Sequence, residues 1–210
     1  RALEHGREAT REGFEAAIRS LERAVQLEPG FAKAWAYLGD YSHSMTDGGF
    51  DPDPIWYVRA DEALARARAL DPSDVYAIYF SGVMHLVRGR KREAYAQFVK
   101  ALDVAPHLWV LYHYFAYLFR LCDMFDEATA AERRAMEIDP GLPWAYGTTV
   151  RICIQRGDLD EARAWADRFR RRFPDSERTW AHQLMILRLE GRHAEIVERV
   201  ERGEFGSKED

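Results

Sequence analysis

Asparagine does not occur anywhere in the 210 residues, so the chain has no N-glycosylation acceptor. Cysteine is scarce: Cys122 and Cys153 stand alone, with no CxxC spacing and no third thiol. That excludes a disulfide framework and a thiolate metal centre, and it predicts core thiols in a reducing, cytoplasmic setting. Lysine is nearly missing, 4 against 26 arginines, and a basic excess is absent because the net charge is -5. Nucleic-acid binding needs a surface that displaces counterions from phosphates, so that class is excluded. The arginine run Arg168, Arg170, Arg171 and Arg172 has acids nearby and reads as a solvated helix face. Long apolar runs are lacking too. The longest, Leu108 to Phe119, is interrupted by His113 and stopped by Arg120, short of the roughly 20 residues that span a bilayer, so no membrane insertion is expected. The chain opens at Arg1 without Met, from which we expect a segment of a longer polypeptide.

Catalytic signatures are absent in the same way. His107 and His113 lie six apart, not the four that set two zinc ligands on one helical face. No glycine-rich phosphate loop and no nucleophile-base grouping occur in a recognisable context. The acidic stretch Asp51 to Glu62 has the length of a calcium loop, but Ile55 and Trp56 occupy positions that need an oxygen ligand and a glycine. No enzyme activity, metal or cofactor is expected.

What is present is a period. Pro72, Pro106, Pro140 and Pro174 are each 34 residues apart, and Pro29 stands 43 before Pro72. The stretch Val75 to Pro106 is the template, with small residues at Gly82, Gly89, Ala94 and Ala101 and bulky ones at Ile78, Leu86 and Phe98. A fixed period of this length marks helix pairs stacked into a solenoid. In the second unit the span from Trp35 to Pro72 is nine residues longer than its counterpart, which places an elongated turn at Met45 to Pro54. Asp53 is its predicted cap before the helix resumes. Residues Arg1 to Gly13 read as a degenerate first helix, followed by an amphipathic helix with Phe14, Ala17, Leu21 and Ala24 on its stripe. Val150 and Phe169 replace small residues and predict locally wider helix spacing. At the far end Val197 and Val200 give the last helix one apolar side, with Glu195, Glu198, Arg199, Glu201 and Arg202 outward, as a terminal cap.

The order Trp or Tyr, Leu-Gly or Ser-Gly, Gly, Ala, Phe, Ala and Pro resembles the tetratricopeptide repeat over nearly the whole chain. The resemblance implies an all-α fold, a right-handed α-solenoid of antiparallel helix pairs with five to six repeats. They form one array over residues 1–206, with repeats at about 1–30, 31–74, 75–108, 109–142, 143–176 and 177–203, and a disordered tail at 207–210. The turn with Gly48-Gly49-Phe50 and Asp51-Pro52-Asp53-Pro54, and the segment around Trp56 and Tyr57, resemble repeat regions attached to bacterial signalling kinases, cyclases and transcriptional regulators.

In such arrays the first helix of each pair lines a concave wall. The resemblance puts Tyr37 and Asp40 there, beside Lys33. Tyr76, Tyr79, Phe80 and Val83 follow, then His113, Tyr114, Tyr117 and Arg120. Trp144, Thr148, Arg151 and Gln155 continue the wall, and Arg178, His182 and Arg188 end it. Tyr, Trp and Arg are enriched at binding hot spots, so the implied function is a scaffold binding a peptide or partner domain. An oligomerisation module or a small-ligand sensor of a signalling protein is the alternative. The segment Trp109 to Leu121 is apolar almost all round, which predicts an exposed second stripe unless neighbours cover it. Family members that clamp chaperone C-terminal carboxylates use lysines, arginine and asparagines. Here one register holds Ala36, Asp40, Phe80, Val110 and Tyr114, the next holds Tyr79, Val83, Tyr114, Trp144 and Thr148, and the clamp is not assembled.

Overall fold

The computed structural model describes residues 10–174 and 179–204. Among these residues all regular structure is helical. The helices are α1 Arg11–Leu27, α2 Ala32–Asp47, α3 Ile55–Leu70, α4 Val75–Val87, α5 Lys91–Val104, α6 Trp109–Arg120, α7 Phe125–Ile138, α8 Pro143–Arg156, α9 Leu159–Arg172, α10 Thr179–Leu189 and α11 His193–Glu201. The chain divides into two compact units, one ending at Leu118 and one starting at Phe119.

Local chemistry sets the boundaries. Thr10 Oγ1 accepts from the Gly13 amide at 3.1 Å, so α1 starts at Arg11 and Gly13 lies in its first turn rather than in a preceding helix. Asp74 Oδ1 caps α4 at the Ala77 amide and Asp158 Oδ1 caps α9 at the Glu161 amide. Helix ends repeat a second device: Gly89, Gly157 and Gly191 take positive φ, and Asp123 takes φ 57° between them. These four positions are 34 apart, so Asp123 fills the slot where the other repeats have glycine. Aspartate tolerates the left-handed region better than most side chains because its short carboxylate bonds locally. Two of the repeat-closing prolines sit where their main-chain carbonyls accept a side-chain bond. The Pro29 carbonyl accepts from Trp35 Nε1 at 3.0 Å, and the Pro106 carbonyl accepts from Tyr112 Oη at 2.9 Å, tying the start of the next helix to the preceding turn.

In the first unit α1 packs on α2, α2 on α3 and α4, α3 on α4, and α4 on α5. Paired helices joined by tight turns run antiparallel. Buried alanines at Ala60, Ala63 and Ala67 on α3, and Ala94 and Ala101 on α5, let the backbones approach. The elongated turn lies between α2 and α3. Phe50 folds back against Phe14 of α1 at 5.5 Å between ring centroids, while Asp51 and Asp53 spend a carboxylate oxygen each on the Asp53 and Ile55 amides. Arg59 of α3 pairs with Glu22 of α1.

In the second unit α7 packs on α8, α8 on α9 and α10, α9 on α10, and α10 on α11. Its core gathers Val150, Cys153, Ala162, Ala166 and Ile186, with Ile154 and Trp165 against it. Burial pushes the Cys153 thiol up to about 11, the inert core thiol expected. Cys122 is exposed instead, because α6 ends at Arg120 and Cys122 falls in the following turn. The last helix is rotated from the expected register. Val197 and Val200 are exposed, whereas Ile196 is half-buried along with Glu195 and Arg199, which pair with each other at 2.6 Å. One mutually neutralised pair makes that orientation tolerable. No helix of the described residues is long and apolar enough to cross a membrane.

Candidate functional site

Three helices of the first unit bring a row of tyrosines together. Tyr37 and Tyr41 are one turn apart on α2 and stack at 6.2 Å between centroids. Tyr37 then meets Tyr76 of α4 at 4.6 Å, Tyr76 meets Tyr79 at 5.9 Å, and Tyr79 meets Tyr114 of α6 at 6.0 Å. His113 adjoins Tyr114 at 5.6 Å, and Phe98 of α5 lies behind it, stacked at 5.9 Å. Tyr41 and Phe98 were not picked out from the sequence as part of this face, although the four-residue step from Tyr37 to Tyr41 is the spacing of ring neighbours on a helix. Lys33 Nζ sits 4.5 Å above the Tyr76 ring and 5.9 Å from Tyr37, so the fold already places an ammonium on this surface.

Asp40 is the acid of the cluster. Tyr79 Oη donates to its Oδ2 at 2.5 Å. Burial raises the Asp40 carboxyl to about 6, and the Tyr79 hydrogen bond and the nearby His113 offset this only in part. Burial also holds the Tyr37, Tyr41, Tyr79 and Tyr114 hydroxyls above their ordinary value. At neutral pH the face therefore carries neutral phenols around a largely ionised carboxylate in poor solvent. The fold sustains a cost there. A carboxyl whose folded value is raised stabilises fully only below its unfolded value, and the contribution is lost as pH climbs through about 6. Asp40→Asn keeps an acceptor for Tyr79 and removes the charge, so it is expected to stabilise the first unit at pH 8 by on the order of 2 kcal/mol. The gain should shrink at pH 4.5; urea midpoints at the two pH values measure it.

The other expected wall residues divide sharply. Tyr37, Asp40, Tyr76, His113, Tyr114 and Tyr117 are half-buried, as a surface for a ligand requires. Tyr79 is only 2% exposed, so its ring backs the face rather than forming it. Phe80 and Val83 are sealed inside and are corrected to core residues. α4 is wedged among α2, α3 and α5, and Phe80 fills the space that the missing Cβ of Gly39 leaves. The exposed second stripe expected on α6 is not seen, since every residue from Trp109 to Arg120 is buried or half-buried.

In the second unit His182 is likewise a core residue. Its ring occupies the slot over Gly147 and meets Phe169 edge-on at 5.3 Å. Thr148 is buried, and the buried Arg120 donates to Gln155 Oε1 at 2.9 Å. Trp144 is half-buried. Arg151 and Arg188 are exposed and make no ion pair with the described residues. Arg178 lies outside the described residues. No three of His, Cys, Asp and Glu converge as metal ligands among the described residues.

The tetratricopeptide repeat family model matches residues 123–184. A curated relative, anaphase-promoting complex subunit 3 of Schizosaccharomyces pombe, is 23% identical over 159 residues, 76% of this chain. The chain spans 23% of that protein's length. Among solved structures, a thermophilic TPR protein of Thermus thermophilus superposes with a TM-score of 0.66 at 18% identity, covering 84% of this chain and 91% of that one. PilW, a widely conserved type IV pilus biogenesis factor, gives 0.64 at 19% identity over 96% of this chain and 88% of its own. At such identities the likeness concerns the fold.

Proposed function

We propose, from the premise that the chain is a tetratricopeptide-repeat protein, that it is a protein-interaction scaffold whose tyrosine face in the first unit takes a basic side chain of an extended partner segment. The observation that carries this reading is Asp40, a carboxylate that accepts from Tyr79 Oη at 2.5 Å within the row of rings formed by Tyr37, Tyr76, Tyr79 and Tyr114, where burial raises its carboxyl to about 6. Ring faces attract cations, and a nearby buried carboxylate adds a charge-assisted hydrogen bond. Lys33 over Tyr76 supports the same chemistry from within the chain. A partner ammonium or guanidinium would displace Lys33 and reach Asp40.

Fluorescence anisotropy with a fluorescein-labelled peptide alternating lysine and leucine tests it. Lys33→Gln removes the internal competitor and is expected to tighten binding about threefold, whereas Asp40→Asn weakens it about tenfold, roughly 1.4 kcal/mol. Equal binding of a peptide with glutamine in place of lysine overturns the reading, as does an Asp40→Asn variant that folds and binds like the parent.

A further inference from the structure

The arginine run on α9 does not behave as a simple solvated face. Arg168, Arg171 and Arg172 fall at steps of three and four residues, one side of the helix, with Trp165 one turn before them. Together with Met136 of α7 and Tyr146 of α8 they line a cleft of about 440 Å³. Tyr146 stands edge-on to Trp165 at 5.8 Å within the cleft, and to Phe173 at 5.3 Å beside it. The Arg168 guanidinium lies 4.7 Å over the Trp165 ring and that of Arg172 lies 5.9 Å from Phe173. Stacking fixes a guanidinium plane while leaving its N–H edge free to donate.

Among the described residues, the guanidinium groups in the cleft also differ from their neighbours in their ion pairing. On the same helix Arg163 pairs with Asp160 and Glu190, and Arg170 pairs with Asp167. No carboxylate of the described residues lies within ion-pair distance of Arg168, Arg171 or Arg172. The C-terminal dipole of α9 favours cations in its last turn, but that preference is satisfied by any outward arginine and does not require convergence on rings.

We propose that this cleft is a second binding site, for an acidic segment of a partner protein that seats one leucine or aromatic side chain on Trp165 and Tyr146 and presents carboxylates to the three guanidinium groups. Bidentate N–H to carboxylate bonding provides the match. The volume is in the range of a pocket for one ligand group, and its lining is apolar with a few placed charges. An extended phosphate backbone fits less well, because the chain as a whole is acidic and three cations are a small counterion footprint. The site is separate from the tyrosine face and does not depend on that reading.

Anisotropy with a fluorescein-labelled peptide alternating glutamate and leucine, on the full chain, decides the matter. The double reversal Arg171→Glu with Arg172→Glu is expected to lower affinity at least tenfold. Arg170→Glu, which removes an arginine already held by Asp167, should change it less than twofold. Arg168→Lys keeps the charge but loses the stacked plane, and should cost about threefold. Thermal unfolding by circular dichroism confirms folding; if the reversal does not fold, Arg171→Gln with Arg172→Gln takes its place. Equal binding of the glutamine version of the peptide overturns the proposal. So does an equal loss in Arg170→Glu, or an oligouridine that binds through the same arginines more tightly than the glutamate peptide.

Discussion

Gly82→Ala is expected to destabilise the first unit by about 2 to 3 kcal/mol, the cost of overpacking a tight core. A Cβ at this position would stand 2.5 Å from Phe98 Cε1 and 2.7 Å from Phe98 Cδ1, with the Ala94 carbonyl at 3.2 Å. Phe98 has nowhere to retreat. It is fully buried, with Tyr114 stacked at 5.9 Å and Phe115 edge-on at 5.6 Å. Gly82 is therefore required for the closeness of α4 and α5 rather than for an unusual backbone angle. Gly89→Ala is the control. Its surroundings are open, but φ is +72°, so only left-handed strain of about 1 kcal/mol applies. The contact makes a further demand on the double variant. Phe98→Leu shortens the ring that collides, and Gly82→Ala with Phe98→Leu should cost clearly less than the two single losses added together. Urea unfolding of the four proteins measures this. A Gly82→Ala loss no larger than that of Gly89→Ala, or strict additivity, would show that the two helices have slack.

The repeat was legible because its signals are local. Prolines at 34-residue intervals and small residues at fixed steps from them recur in the sequence itself, whereas the caps Asp74 and Asp158 emerged only from the structure. The proposed binding wall was legible only in part. The periodicity of a helix says which residues share a stripe, not which neighbouring helix covers that stripe. In α4 the residues from Ala77 to Met84 are all buried because three helices surround it, so Phe80 and Val83 could not be told from Tyr76 by spacing. His182 was misplaced for a related reason, since the missing Cβ of Gly147, thirty-five residues earlier, makes room for its imidazole in the core. The cleft on α9 needed tertiary structure too: its arginines share one side of a single helix, but Met136 and Tyr146 reach it from other helices.

Phe169→Ala is expected to cost the second unit about 3 to 5 kcal/mol, the range for emptying a buried phenylalanine site. Phe169 is fully buried on α9 and occupies a position where the repeat would ordinarily place a small residue. Its ring is held from three sides: His182 of α10 edge-on at 5.3 Å, Phe173 at 5.4 Å and Tyr146 of α8 at 6.4 Å. Removing it undermines α8, α9 and α10 together, because Tyr146, Phe173 and His182 all pack their rings against it. The substitution also separates support from contact in the arginine cleft. Phe169 does not line that cleft, but Tyr146 and Phe173 lean on it. Phe169→Leu, which keeps most of the volume, should therefore cost about 1 to 1.5 kcal/mol and leave binding of the glutamate and leucine peptide within twofold. A Phe169→Ala loss below about 1.5 kcal/mol would mean the neighbouring rings close the gap, and the large residue would then be tolerated in this repeat rather than required by it.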